Sequence, residues 1–220
     1  MRHMAVVEQV NTREGAVPVP RDAEPQSDLG KLAALHAEAR ETAILANLLG
    51  RAPYAMVALA VAAGLSAALS AASMPAAQIM TWLVLMIAGL AAMARAYAHA
   101  IAAPFERATL KSFSQDLTAI TVYLGFAWGA GAFLILPTLI PFPAVSYAAI
   151  TAAGFAFLLR DRNIALAFLG PAAALSALAC IVRPLPGAGL AGLLVLAASA
   201  AVAGAILLAA RMAQSRAQPA

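Results

Sequence analysis

Few side chains in this 220-residue sequence could ligate a metal, form a covalent intermediate or shuttle a proton: three histidines (His3, His36, His99), one cysteine (Cys180), and ten Asp and Glu. A lone cysteine excludes a disulfide or a cysteine-based metal site within one chain. None of the histidines falls in the middle of an apolar run, so a haem held between two buried imidazoles is not expected. Nowhere do a nucleophile, a base and an orienting group stand at a spacing that group transfer needs. The expectation is therefore a non-enzyme with no cofactor and no metal. One stretch, Gly187-Ala188-Gly189-Leu190-Ala191-Gly192, matches the dinucleotide fingerprint letter by letter. That fingerprint works only after a β-strand, and no strand precedes this one. Glycine here reads as a close-packing surface.

Other residues point to packing rather than reaction. Gly125 and Gly129 are four apart in an apolar run, and Ala132 extends the same small face by one turn. Small faces let helix backbones approach closely in a membrane, within one bundle or between two copies. Trp128 sits about halfway along its run, away from the headgroup level that interfacial tryptophans prefer. It is either a packed core residue or, with Tyr123 and Trp82, the wall of a cavity for a small apolar or aromatic ligand. Gly170-Pro171 interrupts another run near its centre and removes a backbone donor, so a kink is expected there, serving as shape or as a hinge.

The elements that must position these residues are legible from charge. Apolar residues make up 63% of the chain and charged residues 11%, with a mean hydropathy of +0.85, whereas a soluble domain has roughly 45–50% apolar and about 25% charged residues. Between Arg51 and Arg95, and again between Asp116 and Arg160, lie 43 residues without an Asp, Glu, Lys or Arg. One helix of that length would be about 65 Å long, twice the roughly 30 Å of hydrocarbon in a bilayer, so each run should fold as a two-pass hairpin. Ser73-Met74-Pro75 breaks the first, and Pro137, Pro141 and Pro143 break the second. Asn163–Val182 and Pro184–Ala210 then supply one span each.

The expected fold is thus all-α: a six-helix transmembrane bundle with spans near 53–73, 77–98, 117–137, 144–160, 163–182 and 188–211. With the N-terminus inside, 13 of the 14 basic residues lie on the cytoplasmic side, only Arg183 outside. Arg51, Arg95, Arg160, Arg162 and Arg211 mark the cytoplasmic ends of spans, and both termini are expected in the cytoplasm. The net charge of +4 therefore reads as topology, with the lipid bilayer rather than a nucleic acid as partner. Residues 1–26 mix polar residues, proline and valine without a period and read as a disordered tail that holds no signal-peptide core. Residues 27–50 read as a cytoplasmic helix capped by Ser27, residues 51–212 as the membrane domain, and 213–220 as a stub. Along the cytoplasmic helix, Leu32, Leu35, Ala39, Thr42, Ala46 and Leu49 follow heptad spacing, which fits either a surface-packed helix or a homodimer seam. The span centres hold no ionisable group, which disfavours pumps and charged pores.

Trp82, Arg95 with Tyr97, the stretch Tyr123-Leu124-Gly125-Phe126-Ala127-Trp128-Gly129, Pro137, Arg160 and Arg211 together resemble a known layout. It is the N-terminal multi-pass membrane module found ahead of diguanylate cyclase or histidine kinase domains in many alphaproteobacteria. The resemblance covers approximately residues 35–212. It implies a sensor in the bacterial inner membrane that passes a helix movement to a cytoplasmic cyclase or kinase effector, as a homodimer or with a separate protein. The sequence departs from that layout after Arg211, where nine residues follow without a cyclase signature or a phospho-acceptor box. The chain is then a stand-alone relative or a fragment of a longer signalling protein. A small permease for a neutral or apolar solute, and a structural subunit of a membrane complex, are the alternatives.

Overall fold

The computed structural model describes residues 25–71, 74–135, 159, 161–182 and 188–215, and the first element among them is a single helix of 46 residues, α1 (Pro25–Ser70). Four more helices follow among the described residues: α2 (Ala76–Ala102), α3 (Arg107–Ile135), α4 (Arg162–Val182) and α5 (Ala188–Ser215). The all-α class expected from the sequence is what is observed. The span expected over 144–160, the loop from Pro137 to Pro143, and Arg160 lie outside the described residues.

α1 runs without a break through the boundary expected between a helix over 27–50 and a span over 53–73. Pro53 stands inside the helix. A proline deletes its own N–H only, so a single carbonyl, that of Leu49, loses its ladder donor. Across that point a buried stripe runs on unbroken at helical spacing: Leu48, Ala52, Ala55, Leu59, Ala63, Ser66 and Ser70. Packing along this stripe keeps the element helical where Gly50 and Pro53 alone would end it. Ser27 lies inside the helix and is not its cap; Pro25, whose fixed φ suits a first helical position, begins it instead.

The chain divides into two units, residues 1–40 and 41–220. In the first, every described position from Gly30 to Arg40 is exposed, Leu32 and Leu35 among them. The second contains the bundle. α1 ends at Ser70 and α2 starts at Ala76, either side of the expected break at Ser73-Met74-Pro75. Pro75 is the extended residue before α2, and its carbonyl accepts the N–H of Gln78 at 3.0 Å.

Helices α2 and α3 both run past their expected ends, so only residues 103–106 join them. The charged residues that marked a loop before residue 117 are on the first turns of α3. Arg107, Lys111 and Asp116 take its exposed side, while Leu110, Phe113 and Leu117 are buried on the other. Asp161 caps α4: its Oδ1 accepts the backbone N–H of Asn163 at 2.8 Å and of Ile164 at 3.2 Å. Pro171 is accommodated within α4, which continues through it to Val182.

α3 packs on α2 and on α4, and α4 packs on α5. Away from those contacts, large apolar side chains face outward: Val57, Val61 and Leu65 on α1, Met80, Val84 and Ile87 on α2, Leu178 and Ile181 on α4, Leu193 and Leu194 on α5. Among the described residues, four stretches, Gly30–Ser70, Ala76–Ala102, Arg162–Val182 and Gly192–Met212, are long and apolar enough to cross a membrane. Helices apolar on their outer faces fit a lipid bilayer, where every backbone group is satisfied inside the helix. Within α3, Thr121, Gly125, Trp128 and Gly129 are buried against protein.

Candidate functional site

The middle of α3 is where the residues singled out by the sequence come together. Three aromatic rings from three helices form a ladder through it. Trp82 of α2 meets Trp128 of α3 edge to face, with ring centroids 5.7 Å apart and planes at 64°. Trp128 in turn meets Phe168 of α4 at 6.2 Å and 52°. All three are buried, and edge-to-face contact places the positive rim of one ring against the negative face of the next.

Toward α2, α3 is held by two hydrogen bonds of the same design. The indole N–H of Trp82 donates to the Ala127 carbonyl at 2.9 Å. The Tyr123 hydroxyl donates to the Leu85 carbonyl at 3.1 Å. In an α-helix each of those carbonyls already accepts the N–H of the residue four positions on, which here is Gly131 and Gly89. Both are glycines, and both lie at the contact. A Cβ on Gly131 would stand 2.7 Å from the Trp82 indole nitrogen, and one on Gly89 would collide with Leu124 and approach Tyr123 to 3.0 Å. Each aromatic thus reaches a helix carbonyl because the residue that would shield it has no side chain. The pairings run oppositely along the two helices, so α2 and α3 are antiparallel.

Toward α4, α3 presents Gly125 and Gly129. A Cβ on Gly125 would fall on the Phe168 carbonyl oxygen; one on Gly129 would stand 2.7 Å from the Leu175 Cβ and 3.0 Å from the Ala172 carbonyl oxygen. These pairings ascend together along both helices, so α3 and α4 run parallel. Ala132, one turn further, is buried in an apolar cluster with Ala177, Ala179, Cys180 and Val195. The contact straddles Pro171, which offers no N–H to the Ala167 carbonyl. Gly170 has open space around it.

The structure therefore joins Trp82, Trp128, Gly125, Gly129 and Pro171 around one stretch of α3. It leaves Tyr123 half exposed on the α2 side, its hydroxyl engaged with Leu85. Gly89, Gly131 and Phe168 complete the site and were not singled out from sequence. A signal for the two glycines existed: each follows an aromatic on its own helix by seven or eight residues, Trp82 to Gly89 and Tyr123 to Gly131.

The arginines stand apart from this core. Arg95, Arg162 and Arg211 are exposed, and Arg51 is half-buried. Arg107 pairs with Glu41 across α3 and α1. Among the described residues no three His, Cys, Asp or Glu lie close enough to hold a metal ion, and no buried side-chain nitrogen or oxygen is without a hydrogen-bond partner.

The fold and site define an all-α protein whose outer surfaces suit a bilayer and whose centre is an aromatic and glycine packing core. Comparison with protein-family models, with curated proteins and with solved structures gives no match.

Proposed function

We propose that this chain is a sensory or regulatory module of the bacterial inner membrane, crossing it six times with both termini in the cytoplasm. A change in the bilayer, or a small ligand, repacks its helices, and the movement reaches a cytoplasmic cyclase or kinase output. The observation carrying this reading is the contact of Gly125 and Gly129 with Phe168, Ala172 and Leu175 across Pro171. Two backbones meet there with almost no side chain between them, at a turn whose hydrogen-bond ladder is interrupted. Such an interface has few alternatives at intermediate spacing, so a small push moves it between discrete packings.

The parallel course of α3 and α4 supports the six-span count. By the Gly125–Phe168 pairing, Arg162 is level with residue 119 of α3. The start of α4 therefore lies about 24 Å back along α3 from Ile135, at 1.5 Å per residue. Two parallel spans in succession require a crossing between them, which the sequence places over 144–160. The basic residues, 13 to 1 across the expected sides, support the orientation.

The function is tested in the source bacterium by comparing deletion of this chain with Gly125→Leu for cyclic di-GMP level and histidine-kinase phosphorylation. A shift of one of these outputs, in the same direction for both strains, is expected. Unchanged outputs in the deletion strain would sink the signalling reading. Fusions of green fluorescent protein to the C-terminus and of alkaline phosphatase after Met74 test orientation, and both should be active.

A further inference from the structure

We infer that α2 and α3 move as one clasped body, and that the joint of the bundle is the α3–α4 contact at Gly125, Gly129 and Pro171. The two faces of α3 differ in how they resist displacement. On the α2 side, the Trp82 and Tyr123 bonds point in opposite directions, from α2 to α3 and from α3 to α2, and the residues they join lie about one turn apart along each helix, Trp82 and Leu85 on α2, Tyr123 and Ala127 on α3. Two directional bonds at separate heights oppose both sliding and rotation. In lipid no water competes for the carbonyls they occupy. On the α4 side the contacts at both glycines are van der Waals approaches to backbone and to a Cβ. Dispersion holds such surfaces together and gives way when one slides along the other. Within α4 the Ala167 carbonyl, one turn before Pro171, lacks its ladder donor, so that helix bends most easily where α3 presses on it.

Trp128 links the two sides. It touches Trp82 within the clasped pair and Phe168 across the joint. A displacement of α4 therefore changes the Trp128–Phe168 ring geometry first, while Trp82–Trp128 stays fixed. This assignment rests on the proposed function's premise that the bundle has two packings, and it names where they differ.

Paired spin labels on exposed positions test it in full-length chain carrying Cys180→Ala. Labels at Val84 and Phe126 report α2 against α3; labels at Phe126 and Leu178 report α3 against α4. The chain is reconstituted in vesicles of short-chain and then long-chain phosphatidylcholine, because bilayer thickness biases helix tilt. The Val84–Phe126 distance should stay single and narrow in both, while the Phe126–Leu178 distance shifts or splits. A Val84–Phe126 distance that shifts while Phe126–Leu178 does not would overturn the assignment and leave the two-packing premise standing. No shift in either would overturn both. Tyr123→Phe, which keeps the ring and removes only the hydroxyl, should broaden the Val84–Phe126 distribution, and Trp82→Phe should broaden it further. If both variants keep the wild-type width, the clasp does not exist.

Discussion

At its glycines α3 meets one neighbour beside hydrogen bonds and the other through close approach to backbone, and glycine serves each contact in a different way. On the α2 side, Gly89 and Gly131 open a path for an aromatic donor to a carbonyl. On the α4 side, Gly125 and Gly129 let the helices themselves close together. In water both faces would also be held by exclusion of solvent. In lipid that driving force is absent between helices, and packing and hydrogen bonds carry the association. A glycine's worth here is therefore set by what stands opposite it.

The sharpest test of the contrast is to fill the α4 side. Gly125→Leu with Gly129→Leu places bulk on the Phe168 carbonyl and the Leu175 Cβ, and neither can retreat without moving α4. A loss of about 3 kcal/mol or more is expected, since overpacking a well-filled site costs about 1–3 kcal/mol per substitution. Thermal unfolding in detergent micelles should show it as a large drop in Tm or as loss of folded protein. Gly64→Ala is the matching control. Gly64 sits within α1 with open space where its Cβ would be, so alanine should stabilise that helix by up to about 1 kcal/mol. Gly125→Ala and Gly64→Ala, one chemical change at a filled and at an open site, should thus carry opposite signs. If Gly125→Ala also stabilises, the close approach to Phe168 is wrong.

On the α2 side the expected losses are smaller. Trp82→Phe removes the bond to Ala127 and leaves a gap beside Trp128, a loss of about 1–2 kcal/mol. Gly131→Ala should cost a similar amount by pushing the indole off the same carbonyl, and combining the two should cost less than their sum, because both break one interaction. Tyr123→Phe, at a half-exposed bond, should cost about 0.5–1 kcal/mol. Additivity of Trp82→Phe and Gly131→Ala in the same unfolding assay would separate what the geometry joins.

Charges and prolines made much of the fold legible, because both mark places a membrane helix avoids. Pro75 and Pro171, the charge-free runs and the Arg160–Arg162 neighbourhood put helices α2, α4 and α5 within a few residues of where they are. The same markers misled at Arg51, beside Pro53 within α1, and at Arg107. A proline or charged residue on the open side of a helix does not end it, and which side is open depends on neighbours that one sequence does not reveal. The site divided along a similar line. Gly125, Gly129 and Trp128 were visible because small residues at helical spacing and a mid-span tryptophan are unusual. The acceptors at Ala127 and Leu85 were not, because every residue has a carbonyl and only the register between helices selects one.

The smallest effect concerns the polar margin of the bundle. Glu41 and Arg107 pair there with both side chains nearly half exposed. Such a pair has high-dielectric surroundings and flexible partners, and its coupling should be no more than about 0.5 kcal/mol. A double-mutant cycle with Glu41→Gln and Arg107→Gln isolates it, since Arg107 has other interactions that the single variant would also disturb. The coupling should fall toward zero in molar salt, whereas the cost of Tyr123→Phe should not change, because a hydrogen bond between helices in lipid is beyond the reach of mobile ions. A salt-insensitive coupling of about 2 kcal/mol for Glu41–Arg107 would mean that this pair is shielded from water. The holding force of the bundle would then lie at its margin as much as at its centre, and the distinction between the two faces of α3 would lose its place as the main determinant of how the helices move.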